Sequence, residues 1–184
     1  EFDATSTGGQ KFLPQADGSY RAAGYSPVKN SPHATGRTAL KKITAVRMEL
    51  LTDPNLPHGG PGRSITGTSA LTEFEVQFSP GPKAGKFTKA KIVSATADVN
   101  PAASPLPAIY DDKSKKNRVT GPVEMAIDGD ELTAWGIDPG PGRRNVPREA
   151  VFLLEQPIEH EAGAALRITF KQNHGGWNNN DNQN

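Results

Sequence analysis

Apolar and polar residues alternate strictly in three stretches of the chain. In LTEFEVQF (71–78), Phe74, Val76 and Phe78 fall on one face and Glu73, Glu75 and Gln77 on the other. This is the period-two pattern of a strand with one buried face. LRITFK (166–171) repeats it, with Leu166, Ile168 and Phe170 inward against Arg167, Thr169 and Lys171. ITAVRMELL (43–51) turns Val46, Met48 and Leu50 inward and Arg47 and Glu49 outward, and Ile43, out of phase, predicts a bulge there. AKIVSATADV (90–99) and AVFLLE (150–155) read as further strands. The second is apolar on both faces, which predicts a central position in its sheet.

Between these runs lie three long segments rich in Gly, Pro and Asn, at 53–69, 100–117 and 138–149. Loops of that length inside a compact domain usually carry function or move. PVEMA (122–126) predicts a single helical turn, and nothing in the chain predicts a helix long enough to cover a sheet. Strands at this density, each with one polar face, predict two antiparallel sheets packed face to face in an all-β fold.

Composition agrees and narrows the chemistry. The 184 residues suit one domain over 1–184 with a single core. Hydrophobic residues make up only 34%, while 19 Gly and 16 Pro demand many turns. A net charge of +1 supplies no polyelectrolyte attraction, so no nucleic-acid partner is expected. No apolar run approaches the roughly 18 residues that span a bilayer, so no direct membrane insertion is expected. The absence of cysteine removes disulfides, thiolate metal sites, cysteine nucleophiles and haem attachment through a Cys-x-x-Cys-His sequence, so no haem is expected in this segment. Glu1-Phe2 in place of a starting Met reads as the opening of either an excised domain or a processed fragment of a larger precursor.

Catalytic motifs are missing. His33, His58, His160 and His174 lie far apart, without a His-Glu-x-x-His sequence or a Gly-x-Ser-x-Gly elbow. HGGPGRS (58–64) lacks the order of a phosphate loop. A non-catalytic protein is expected, although Asp111-Asp112 or Asp128 with Asp130 would serve as acid and base if they met across a cleft. The mixed-charge run 111–117 predicts an exposed loop open to proteolysis.

Two stretches invite binding chemistry. In AIDGDELTAW (126–135), Asp128, Asp130 and Thr133 offer oxygens to a hard cation around the flexible Gly129, or form an Asx-type turn that satisfies itself. Trp135 reads as core. At the other end, Trp177 stands among glycines and asparagines in HGGWNNNDNQN. An exposed indole there stacks on a pyranose while His174, Asn178 and Asn179 bond its hydroxyls; the alternative is a Trp folded down as a lid. His58 and Arg63, on the first long loop, are further candidates for ligand contact, Arg63 toward a carboxylate or sulfate.

The runs ITAVRMELLTDPNLPHGGPGRS, LTEFEVQF, AIDGDELTAWGIDP and RITFKQNHGGWNNNDNQN, in that order over roughly residues 35–184, carry a resemblance. They resemble the β-rich domain of large planctomycete and verrucomicrobial proteins that also bear cytochrome-c-like modules. The A-x-D-G-x-x-x-T-x-W element is similar to the loop of discoidin, coagulation-factor type C and many carbohydrate-binding modules. That resemblance implies a jelly-roll β-sandwich of the galactose-binding-like class and a structural Ca²⁺ held by Asp128, Asp130 and Thr133. It implies a glycan or polysaccharide ligand, or else a scaffold role against other domains of the parent, in an extracytoplasmic setting. In the planctomycete pattern the Gly/Asn-rich loop leads into one more strand, so either the sequence stops short of it at Asn184 or that strand is elsewhere in the chain.

Overall fold

The computed structural model describes residues 2–5, 9–81, 85–111 and 113–175. Its strands are arranged in a β-sandwich-like, all-β fold whose only helices, among the described residues, are 3-10 turns of three or four residues. No helix there is long and apolar enough to cross a membrane.

The alternating runs build the core. β7 (Glu73–Pro80) pairs antiparallel with β14 (Ala164–Lys171). Around them, β1 (Phe2–Thr5), β4 (His33–Thr38) and β8 (Thr88–Ala90) complete a five-stranded sheet in the order β1-β4-β14-β7-β8. A second antiparallel sheet has three strands, β5 (Lys42–Leu50), β13 (Arg148–Glu159) and β9 (Ile92–Ala97), with β13 in the middle. The sheets meet where Phe74 stacks on Phe152, centroids 3.9 Å apart and planes 12° from parallel, with Phe170 edge-on to Phe74 at 5.6 Å. Period-two patterning thus delivers one apolar face per strand to a shared interior.

The expected central place of 150–155 is observed, but only one of its faces is covered: Ala150, Phe152 and Leu154 are buried while Leu153 is 45% exposed. The irregularity expected near Ile43 is present on the partner strand. Ala45 opposes Leu153 and Ile43 opposes Ile158, so the extra residues belong to β13. Pro157 lies among them and has no N–H to donate to the ladder. Ile43 itself is buried.

Two smaller sheets were not foreseen. β10 (Ser104–Pro105), β11 (Val119–Gly121), β12 (Thr133–Gly136) and β6 (Ala70–Leu71) form one, with β11 and β12 parallel. It carries Trp135 into the core, fully buried, its indole N–H donating to the Val99 carbonyl at 2.9 Å. The expected helical turn is the 3-10 turn Val123–Ala126, beneath the same sheet. The other is a hairpin of β2 (Gln10–Pro14) and β3 (Tyr20–Gly24), which among the described residues pair only with each other.

The first long loop is more ordered than its composition suggests. Ser64, Thr66, Thr68 and Tyr110 share a hydroxyl network at 2.8–3.4 Å. Gly67, at φ +74°, passes so close that an added Cβ would lie 2.3 Å from the Pro57 carbonyl oxygen. Only glycine meets both demands.

Candidate functional site

The β2–β3 hairpin owes its sharp turn to Asp17-Gly18: Gly18 has φ +87°, and the Asp17 carboxylate accepts the Ser19 N–H at 2.9 Å. Bonds from Ser19 hold that exposed carboxyl below its ordinary pKa. Among the described residues the hairpin makes no ladder bonds to either large sheet, and side chains fasten it. The Arg63 guanidinium donates to the carbonyls of Gly24 (2.6 Å) and Tyr25 (3.2 Å), and the buried Asn30 amide donates to Gln10 Oε1 at 2.6 Å. Burial lowers the Arg63 pKa from a value high enough that the group stays charged.

Between hairpin and sandwich lies a cleft of about 790 Å³, within the roughly 300–1,000 Å³ usual for small-ligand sites. Met48, Leu71, Trp135 and Phe170 contribute to its sandwich side, and Phe12 and Tyr20 to its hairpin side. Arg21 and Asp53 also line it, Arg21 Nε 3.6 Å from Asp53 Oδ2, each side chain about three-quarters buried at 24% and 25% exposure. Asp53 Oδ1 accepts the Asn55 backbone N–H (2.8 Å) and side-chain amide (2.9 Å), and these bonds, helped by Arg21, hold its carboxyl below the usual range.

The residues singled out from the sequence do not form one set. Arg63 lines the cleft, but its guanidinium is engaged with backbone carbonyls. His58 is exposed on the 3-10 turn Pro57–Gly59, at φ 51°. His174 faces inward, 2% exposed, with Nε2 3.1 Å from Thr120 Oγ1. Trp177, Asn178 and Asn179 lie outside the described residues.

Residues 128–133 form nested Asx turns. Asp128 Oδ1 accepts the Asp130 N–H (2.8 Å), and Asp130 Oδ1 accepts the Leu132 N–H (2.9 Å). The Thr133 hydroxyl lies 2.8 Å from Asp128 Oδ2 and 2.9 Å from the Asp130 carbonyl, two acceptors that share its one proton. Among the described residues, no group of three or more His, Cys, Asp or Glu side chains is placed to hold a metal ion. One carboxyl beside the turn is out of water. Glu73, on the outer face of β7, is only 7% exposed, and its Oε1 is buried with no hydrogen-bond partner. Burial raises the Glu73 pKa and the nearby Asp128 charge raises it further, against the Gly129 N–H, Lys171 and Lys89. Lys171 is itself 3.3 Å from Glu75 and 3.7 Å from Glu131.

Tyr20, Arg21, Asp53 and Glu73 were missed as site residues. The Asp-Gly turn was a legible hairpin signal, but nothing local says what the hairpin covers. Comparison with known protein families, with curated proteins and with solved structures finds no match to this chain.

Proposed function

We propose that this chain is a non-catalytic carbohydrate-binding module, a jelly-roll sandwich of the galactose-binding-like class within a larger extracytoplasmic protein. Its ligand lies in the cleft beneath the β2–β3 hairpin. The observation that supports this reading is the cleft itself, where the aromatic residues Phe12 and Tyr20 and the Arg21–Asp53 pair line one cavity over an apolar floor. A sugar ring offers C–H faces to apolar and aromatic surface and hydroxyls to planar donors and acceptors, the mixture such a cavity provides.

A structural Ca²⁺ at Asp128, Asp130 and Thr133 belongs to the same proposal. It is supported by the unpartnered Glu73 Oε1 beside Asp128, since a hard cation takes carboxylate, hydroxyl and carbonyl oxygens. A second reading, a scaffold domain packed on other modules of its parent, draws on the three-stranded sheet, where Leu153 and Val93 are 45% and 46% exposed.

A glycan array followed by affinity electrophoresis through polysaccharide gels tests the carbohydrate reading. Retardation by a polysaccharide, lost in Tyr20→Ala, is expected. No retardation by any polysaccharide, from folded protein, rejects it and favours the scaffold. A Trp177→Ala variant that binds like its parent removes the terminal loop from the site.

A further inference from the structure

The Arg21–Asp53 pair has the composition of a subsite rather than of a closed salt bridge. At 3.6 Å the Nε–Oδ2 separation exceeds the 2.7–3.2 Å of an ordinary N–H···O hydrogen bond. Arg21 makes no other side-chain bond among the described residues, so most of its five N–H donors are uncommitted. Asp53 spends Oδ1 on Asn55 and turns Oδ2 toward Arg21. The cleft thus holds, side by side, a planar group that only donates and an oxygen that only accepts, both largely desolvated.

A hydroxyl both donates and accepts, so two adjacent hydroxyls satisfy this pair together: one accepts from the guanidinium while its neighbour donates to the carboxylate. The remaining charges oppose an anion. Asp17 also lines the cleft, as does Glu49, whose carboxylate is paired with Arg47, and Arg63, the other cation, is bonded to carbonyls. A ligand carboxylate or sulfate would meet one available guanidinium already facing Asp53, with the Asp17 carboxylate as a further like charge. Building on the carbohydrate reading above, we infer that Arg21 and Asp53 form a vicinal-diol subsite that makes the cleft select neutral over anionic glycans.

The test is affinity electrophoresis of the wild type, Arg21→Gln, Arg21→Lys and Asp53→Asn in gels containing soluble neutral glucans, mannans, galactans or xylans, or polyuronates and sulfated polysaccharides. Melting temperature serves as the folding control. The wild type is expected to be retarded by a neutral polysaccharide and not by the anionic ones. Arg21→Lys, which keeps the charge but loses the fork, should weaken neutral binding at least tenfold, as should Arg21→Gln. Asp53→Asn should lose neutral affinity and gain retardation by polyuronates, because it releases Arg21. Equal wild-type retardation by neutral and anionic polysaccharides overturns the inference. So does unchanged neutral binding in folded Arg21→Lys or Asp53→Asn, while the carbohydrate reading stands. If the wild type binds no glycan, the carbohydrate reading falls and takes this inference with it.

Discussion

Replacing Glu73 by Gln removes a charge from a place that does not favour one. The carboxyl is 7% exposed, one oxygen has no hydrogen-bond partner, and Asp128 adds like-charge repulsion. A buried group left unsatisfied costs about 1–3 kcal/mol, and more when it is charged, so the neutral amide at the same place is spared the part due to charge. The Gly129 N–H and the Lys171 and Lys89 ammonium groups return part of that. In excess chelator near pH 8, Glu73→Gln should therefore stabilise the fold by about 1–2 kcal/mol, which for a chain of this size raises the melting temperature by roughly 2–8 °C.

The pH dependence follows from the direction of the shift. Because the folded pKa lies above the unfolded value, the folded state binds more protons. The wild type therefore loses stability as pH rises from the unfolded carboxyl pKa, about 4.3, through the folded one. Below that window wild type and variant should coincide, and above it the gap should be full. Urea titrations from acid to alkaline pH measure this directly. A pH-independent gap, or a variant less stable than wild type at pH 8 in chelator, would refute the reasoning. With Ca²⁺ in place of chelator, the wild type should gain stability by mass action and the variant less. A wild-type melting temperature indifferent to Ca²⁺ would eliminate the structural ion.

Three further outcomes follow from the packing. Phe152→Ala empties a fully buried ring position stacked on Phe74 and should cost about 3–5 kcal/mol in urea unfolding; a loss under 1 kcal/mol would mean the two sheets do not close on this pair. Arg63→Ala cuts both ties to Gly24 and Tyr25, so amide exchange should rise across residues 10–24 and change little in β7 and β14, whereas unchanged protection of the hairpin would show that Arg63 does not hold it. Thr133→Val deletes the hydroxyl that closes the 128–133 turn on Asp128 and Asp130 and should cost about 1 kcal/mol, read as a lower denaturation midpoint with unchanged slope.

Local pattern was a sound guide wherever one face of a strand is buried along its length. The runs at 73–78 and 166–171 take the faces their alternation assigns, because a one-residue slip would turn every apolar side chain to water. The pattern was silent on β1 to β4. HATGRT in β4 has no apolar alternation, yet it lies between β1 and β14 and takes its strand character from those neighbours' hydrogen bonds. AIDGDELTAW was legible as a turn running into a buried Trp, since Asx turns need only residues within a short span.

The cleft was not legible, for a related reason. Arg21 and Asp53 are far apart in sequence, and each alone is an ordinary loop or strand charge. Only docking of the hairpin by Arg63 and Asn30 brings them to 3.6 Å over the floor of the sandwich. Glu73 reads from its strand as an outward, solvated carboxylate, and the Asp128–Gly129 turn is what places it out of water. By itself the sequence determined the all-β class, the inward faces of the long strands and the turns that need Gly, Asp and Pro, because these depend on local backbone preference and on period-two burial. The cleft, its donor–acceptor pair and the buried carboxyl were decided by tertiary structure, because desolvation and convergence depend on which distant surfaces meet.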